Sequence, residues 1–393
     1  MKAWYAKEAA VLKSWGSDER SYQLLAGYMH LLQKGNPWTI YKLHYTGGGL
    51  VVKQFKYLFF ALRASIAGIK FMRKVVLVDG TVKKAKFKGV LIAASMQDAN
   101  FQVFRIAFAI VDSENELAWT WSMVVPDAED LVMVSDRHRS IYAAVATVYP
   151  QAFHCAAYLD AIPLEHWTQA QCKARRYYVM SRNIVEAVND AVGKFLKLPI
   201  VSMVESIRTK LMGWFCIRRA KAERLVSFPD PITPNVNKLM LRYQKDSVGL
   251  PVKGVSKWTF QVGSGKKMYY VDLENKTCTC QQFQKLEIPS SHALAAARTH
   301  GVNVPSLVGS QFTVTVFPDS YEKFIYPVPN QSDEEVPTKL QETEVLAPEN
   351  PNGPGRRCKK RIPSTREFSV PAAKKRKRGP SKCSIYSKQD ITE

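Results

Sequence analysis

The stretch that decides the fold is "VVLVDGTVKKAKFKGVLIAASMQDANFQVFRIAFAIVD", residues 75–112. Three dense runs of β-branched and aromatic residues, 74–80, 87–95 and 101–112, are separated by basic or polar turn segments. Apolar runs of this length, bounded by turn residues, predict three successive strands covered on both faces. A short helical "NELAWTW" follows, then a fourth strand at "LVMVSD" and a helix at "RHRSIYAAVATVY". That order predicts an α/β domain built on a mixed sheet with flanking helices.

Outward from this core, residues 1–35 read as two helices, the second opening near Ser17 and Asp18 and stopping at "GNP". Residues 166–225 lose strand character; "NIVEAVNDAVGKFLKL" and the segment from Ile200 onward carry apolar residues at helical spacing, separated by Pro199. From Trp258, "KWTFQVGSG" and "KMYYVDLENKT" predict a hairpin with Cys278 and Cys280 just after it. Past Pro327 the chain becomes Pro-rich and polar, then strongly basic, the composition of a disordered tail.

The 393 residues carry a formal net charge of +22, with 46% hydrophobic and 11% aromatic residues, which excludes a wholly disordered chain and favours polyanionic partners, nucleic acid first. No membrane partner is expected: the most apolar run, "YLFFALRASIAGI", is interrupted by Arg63 and falls short of the roughly 20 residues a spanning helix needs. Nor does the N-terminus have the apolar core of a secretory signal. The seven cysteines are mostly scattered and do not form the framework of a small secreted domain. No small-molecule substrate is evident.

Three acidic residues form one candidate constellation. Asp79 and Asp136 each close an apolar strand run, and Glu186 lies on a later predicted helix. Carboxylates converging on a pair of divalent ions about 4 Å apart suit phosphodiester chemistry, whereas singly each is an ordinary turn former or cap. A second constellation is "CTCQQFQKLEIPSSHALAAA", residues 278–297, where Cys278, Cys280 and His292 are natural metal ligands and Ser290 stands where a third thiolate would complete a tetrahedron.

The segment 75–121 resembles the opening of the catalytic domain of Mutator-like (MULE) transposases. "VSDRHRSIYAAVATVYPQAFH" resembles that domain's second acidic segment and "RRYYVMSRNIVEAVNDAV" its glutamate-bearing segment, while 278–297 resembles the SWIM zinc finger of plant members. The resemblance implies an RNase H-like fold and a DDE triad at Asp79, Asp136 and Glu186 that uses Mg²⁺ or Mn²⁺ for DNA strand cleavage and transfer. It implies this organisation: an N-terminal helical region at 1–70; the transposase core at 71–225, with a helical insertion deleted near 159–165; a linker at 226–255; a SWIM finger at 256–305; and a disordered basic tail at 306–393.

Departures from the family pattern bear on activity. Cys155 is kept from the family's Cys-x-x-His pair, but Tyr158 stands in the histidine's place, and Leu159 runs almost directly on to the segment of Asn183. Shifting a catalytic helix by about 1 Å can cost on the order of a hundredfold in rate, so efficient transposition is not expected. At the finger, a neutral serine is a poor zinc ligand, and two readings stand: zinc held with weakened affinity, or packing alone. His300 would need local unwinding to contribute.

The run Lys374, Lys375, Arg376, Lys377 and Arg378, followed by Gly and Pro, has the form of a nuclear import signal and predicts an import receptor as partner and a nuclear location. The sequence therefore predicts a transposase-derived nuclear protein that binds zinc and DNA. Two alternatives are an active DDE transposase and a protein-interaction adaptor that docks through the SWIM segment without binding DNA.

Overall fold

The computed structural model describes residues 17–47, 52–112, 125–135, 144, 146–155, 192–227, 230–329, 336–337, 340 and 344–348. All lie in the first of two units, Met1–Glu349 and Asn350–Glu393.

The three predicted strands form as β3 (Val75–Val82), β4 (Val90–Gln97) and β5 (Val103–Val111). Every residue of β4 is buried, and all of β5 except Val103, which is why these runs are continuous rather than alternating. β3 and β4 pair antiparallel with Asp79 opposite Ala93, and β4 and β5 antiparallel with Ala93 opposite Phe108. The β3–β4 connection closes through a bond from Lys83 N to the Gly89 carbonyl, 2.7 Å. Gly89 has φ +151° there, and a Cβ would lie 2.5 Å from the Val111 carbonyl oxygen, so only glycine fits.

The β4–β5 turn is built around Asp98. Its buried carboxylate accepts from the backbone N–H of Asn100 (2.9 Å) and Gln102 (2.8 Å) and from the Tyr321 hydroxyl (2.6 Å). Burial raises its pKa, and these donors oppose the shift. Arg218 donates to the Tyr321 oxygen (3.0 Å) and to the Val103 carbonyl (2.7 Å), tying the turn to a helix more than a hundred residues downstream.

The predicted fourth strand is β6 (Val132–Val134), parallel to β3 with Leu77 opposite Val134, and β7 (Phe153–Cys155) lies parallel to β6. Two further strands, β1 (Ile40–Thr46) and β2 (Val52–Ala61), and a return strand, β12 (Glu344–Leu346), complete an eight-stranded mixed sheet among the described residues. Its order is β1-β2-β5-β4-β3-β6-β7, with β12 parallel to the start of β2. The expectation of a helical region over 1–70 is thereby corrected. The apolar run Tyr57–Leu62 is largely strand because β2 lies between β1 and β5 and needs apolar residues on both faces.

Helices cover this sheet. Ser17 caps α1 (Asp18–Gln23), as expected, and α2 (Leu25–Gly35) ends at Asn36 before Pro37. The first helix expected within 1–35 falls outside the described residues. After α3 (Arg63–Gly68), the long α4 (Ile200–Val226) starts immediately after Pro199. It buries Ile200, Val204, Ile207, Leu211 and Phe215, one stripe at helical spacing. Phe215 packs on Phe104 (5.5 Å between ring centres) and edge-on to Tyr321 (5.2 Å). α2 is fixed to α4 by the Tyr28 hydroxyl donating to Glu205 (2.6 Å), which Arg208 grips through two nitrogens. Among the described residues no helix is long and apolar enough to cross a membrane.

Two more boundaries differ from expectation. The 226–255 linker contains α5 (Pro234–Ser247), with Pro234 in the first turn, where its missing N–H costs nothing. This helix docks on the β4–β5 turn: Thr233 Oγ1 donates to the Ala99 carbonyl (2.8 Å), and Asn235 bonds both the side chain (2.9 Å) and carbonyl (2.8 Å) of Asn100. Part of the stretch expected as a disordered tail from residue 306 is instead folded. Short turns at 304–307 and 310–312 and helix α8 (Val316–Asp319) bury Phe312 and Phe317, and Tyr321 follows them into the core. Phe312 meets Phe101 edge-on at 5.8 Å, and the buried Arg73 guanidinium lies over both rings.

Candidate metal centre

The cysteine-bearing segment folds as a four-stranded antiparallel sheet backed by a helix. Its strands are β8 (Val252–Gly254), β9 (Thr259–Ser264), β10 (Lys267–Asp272) and β11 (Thr277–Cys278), in order β11-β10-β9-β8. β9 and β10 are the predicted hairpin, with Ser264 opposite Lys267 across a two-residue turn in which Gly265 takes φ +60°. Period-two alternation sends Phe260, Val262, Val271 and Cys278 inward against the alanines of α7 (Ser291–Thr299).

Cys278 ends β11, and its backbone is clamped by Gln284 of α6 (Gln282–Leu286): Cys278 N donates to Gln284 Oε1 (3.1 Å), and Gln284 Nε2 donates to the Cys278 carbonyl (3.0 Å). Gln281, at φ +65°, turns the chain back after Cys280. Ser290 caps α7, its hydroxyl accepting from Ala293 N at 3.3 Å, and so places His292 in the first turn facing the cysteines. Tyr269 stacks on the His292 ring at 3.9 Å and fixes its plane.

The ligand atoms of Cys278, Cys280 and His292 all lie within 4.8 Å of one another, and Cys278 Sγ is 3.8 Å from His292 Nδ1. Thiolate and imidazole on one tetrahedral zinc, with bonds of about 2.3 and 2.0 Å, stand roughly 3.5–3.8 Å apart. Three donors of the right chemistry are therefore pre-assembled. The neighbouring Cys278 thiol, with His292 and Ser290 adding to it and burial opposing, holds the Cys280 thiol below its usual range, while Cys280 and burial push Cys278 up. Two thiols beside an imidazole suit a soft dication.

Ser290 is wholly buried beside both thiols, with its oxygen occupied in capping. His300 packs on Phe260 at 4.3 Å and is not part of the cluster. Gln284 and Tyr269 support the site without belonging to its ligand motif. The β10 alternation that sends Val271 inward would have found Tyr269, but nothing local flags Gln284.

Of the acidic constellation, Asp79 lies half-buried on β3, two residues beyond Leu77, where the parallel β6 ends at Val134. Asp136 and Glu186 lie outside the described residues, as do Tyr158 and the basic run Lys374–Arg378.

Residues 75–161 match the family described as MULE transposase domain, a span that opens at β3 and runs past β7. No curated protein and no solved structure matches the chain. The chain thus carries a segment similar to the transposase domain of Mutator-like elements.

Proposed function

We propose that this chain is a transposase-derived nuclear protein that binds zinc through a SWIM-type finger at 256–305 and binds DNA, without efficient transposition. The observation that carries the reading is the convergence of Cys278, Cys280 and His292 on one point at the junction of a hairpin and a helix. Zinc bound there would tie β11 to α7 and supply structural rigidity, with Ser290 contributing no thiolate. The formal charge of +22 supports the nucleic-acid partner, and the Lys374–Arg378 run supports nuclear import through a receptor.

An RNase H-like core over 71–225 is supported by the strand order β5-β4-β3-β6-β7, with β3, β4 and β5 antiparallel neighbours and β3, β6 and β7 parallel ones. The departures at Tyr158 and Leu159 from the family pattern support loss of strand transfer.

The test is metal analysis of the full chain purified under reducing conditions, beside a gel-shift series at rising salt. One zinc per chain is expected, lost in His292→Ala, with DNA affinity that falls steeply as salt rises. A metal-free wild-type protein overturns the zinc reading. The adaptor alternative predicts no DNA binding even at low salt.

An active DDE transposase is the second reading, favoured by one observation: Asp79 sits beside the end of β6, the strand that leads into Asp136. That triad, with Glu186, would hold Mg²⁺ or Mn²⁺. Metal-dependent nicking of DNA, abolished in Asp79→Ala, would establish it; no nicking rejects it.

A further inference from the structure

The outer face of the β8–β11 sheet, turned away from the cysteines, carries a second feature. Strand register sets Tyr270 opposite Gln261 and Gln261 opposite Lys253, so an aromatic, an amide and a cation form one row across three strands. All three are exposed, Tyr270 at 46%. In the next row, about 7 Å along the strand, Met268 lies opposite Gly263, and at 53% exposure it is also open to solvent.

The two apolar side chains are not isolated. A Cβ on Gly263 would touch Met268 Sδ at 3.4 Å and Pro251 Cγ at 2.9 Å, so Met268 and Pro251 lie together over the glycine. Val255, 63% exposed, follows Lys253 in the chain. Exposed apolar side chains grouped among polar ones are a mark of an interaction site.

Charge selects the occupant. Lys253 stands in the row itself, and Lys257 and Lys266 are exposed on the connecting turns, whereas Lys267, opposite Ser264, alternates onto the other face. The Asp272 carboxylate, two residues along the strand from Tyr270, shares the outer face; burial opposes it, but bonds from the backbone and side chain of Asn275, 2.9 Å each, hold it ionised below its usual range. Between 252 and 280 five lysines nevertheless stand against two carboxylates, Asp272 and Glu274, so the segment is net basic around an exposed aromatic, which suits a polyanion that also offers flat π surfaces. A duplex buries its base faces in the stack, whereas an unpaired strand presents them.

We infer that this sheet face is a docking platform for single-stranded nucleic acid, with a base stacking on Tyr270, Gln261 reaching its polar edge and Lys253 contacting the phosphate. The inference rests on the nucleic-acid-binding reading above and adds a location, a strand type and three residues to it. Zinc and strand are bound on opposite faces of one sheet, because Tyr269 points to His292 and Tyr270 points away.

The experiment measures fluorescence anisotropy of the full, zinc-loaded chain with a labelled deoxythymidine oligomer of about twelve nucleotides, within the usual site size for such grooves, and with a duplex of equal length. Tyr270→Ala is expected to weaken single-strand binding by about 5- to 150-fold, the equivalent of about 1–3 kcal/mol per stacked base. Tyr270→Phe should retain the affinity. Lys253→Gln should lower it and reduce the salt slope for the single strand by about 0.7. Zinc content and duplex affinity, unchanged in all three, report an intact fold.

Wild-type single-strand affinity in Tyr270→Ala, with duplex binding retained, overturns the platform alone. If the same variant instead abolishes self-association in sedimentation, the face belongs to a second copy of the chain, and the inference also fails. A wild-type chain that binds neither probe removes the broader nucleic-acid reading as well.

Discussion

Replacing Ser290 by cysteine acts on the metal centre and the helix cap in opposite directions. The serine oxygen is fully buried, adjoins both thiols and accepts from Ala293 N at 3.3 Å. Losing that cap should destabilise the metal-free chain by about 1 kcal/mol. A fourth ligand works the other way: four-donor structural sites are worth about 10–16 kcal/mol, or about 3 kcal/mol for each donor if shared evenly, roughly two orders of magnitude in zinc affinity. Competition against a chromophoric chelator at neutral pH, with the full chain under reducing conditions, reads the affinity. Urea unfolding with and without zinc reads the two stabilities. Ser290→Cys should bind zinc about a hundredfold more tightly and, when metal-free, unfold at lower urea. Ser290→Ala should lose the cap while keeping its zinc affinity within a few-fold. Equal zinc affinity in wild type and Ser290→Cys would refute the reasoning, as would collapse of affinity in Ser290→Ala, which would make the hydroxyl a ligand.

The buried Lys83 should leave a pH signature. Desolvation lowers its pKa from 10.5 to about 8, with Asp18 opposing, so between those values the unfolded chain holds more protons and stability rises with pH, by at most about 3 kcal/mol. Urea midpoints from pH 7.5 to 10 should show the rise, and Lys83→Met should lack this component and be the more stable chain at pH 7. Tyr321→Phe removes a 2.6 Å bond to the buried Asp98 carboxylate and the acceptor of Arg218. A loss of about 1.5–3 kcal/mol is expected by urea unfolding, and Asp98→Asn in the same background should recover part of it. Gly89→Ala forces a Cβ against the Val111 carbonyl in a conformation that disfavours side chains. A loss of at least about 2 kcal/mol should appear as a fall in thermal midpoint, with Gly249→Ala, which meets nothing within 4 Å but shares the positive φ, as the milder control.

What could be read from the sequence followed how local the determining physics is. β3, β4 and β5 were legible because a strand buried on both faces requires an unbroken apolar run, and the hairpin before Cys278 because alternation and a glycine turn lie within twenty residues. The meeting of Cys278, Cys280 and His292 was legible from their residue types and short spacing. α5 was hidden because its Pro- and Asn-rich start resembles a loop until Asn100 supplies partners from 135 positions away. Residues 304–321 looked like the edge of a tail because single aromatics such as Phe312 and Tyr321 declare themselves only against Phe101 and Asp98. β1 and β2 are not legible locally, because an apolar run flanked by helices does not say whether a sheet awaits it.

The return strand β12 also bears on how the chain is made. Gln54 donates to the Ala347 carbonyl across 293 positions, and Val345 is buried beside β2. At a synthesis rate of about 5–20 residues per second, the first part of β2 waits roughly 15–60 s after emerging from the ribosome before this neighbour exists. During that interval it exposes unpaired backbone to other nascent chains, and a chaperone engaged there would be displaced only once residues 344–347 have emerged.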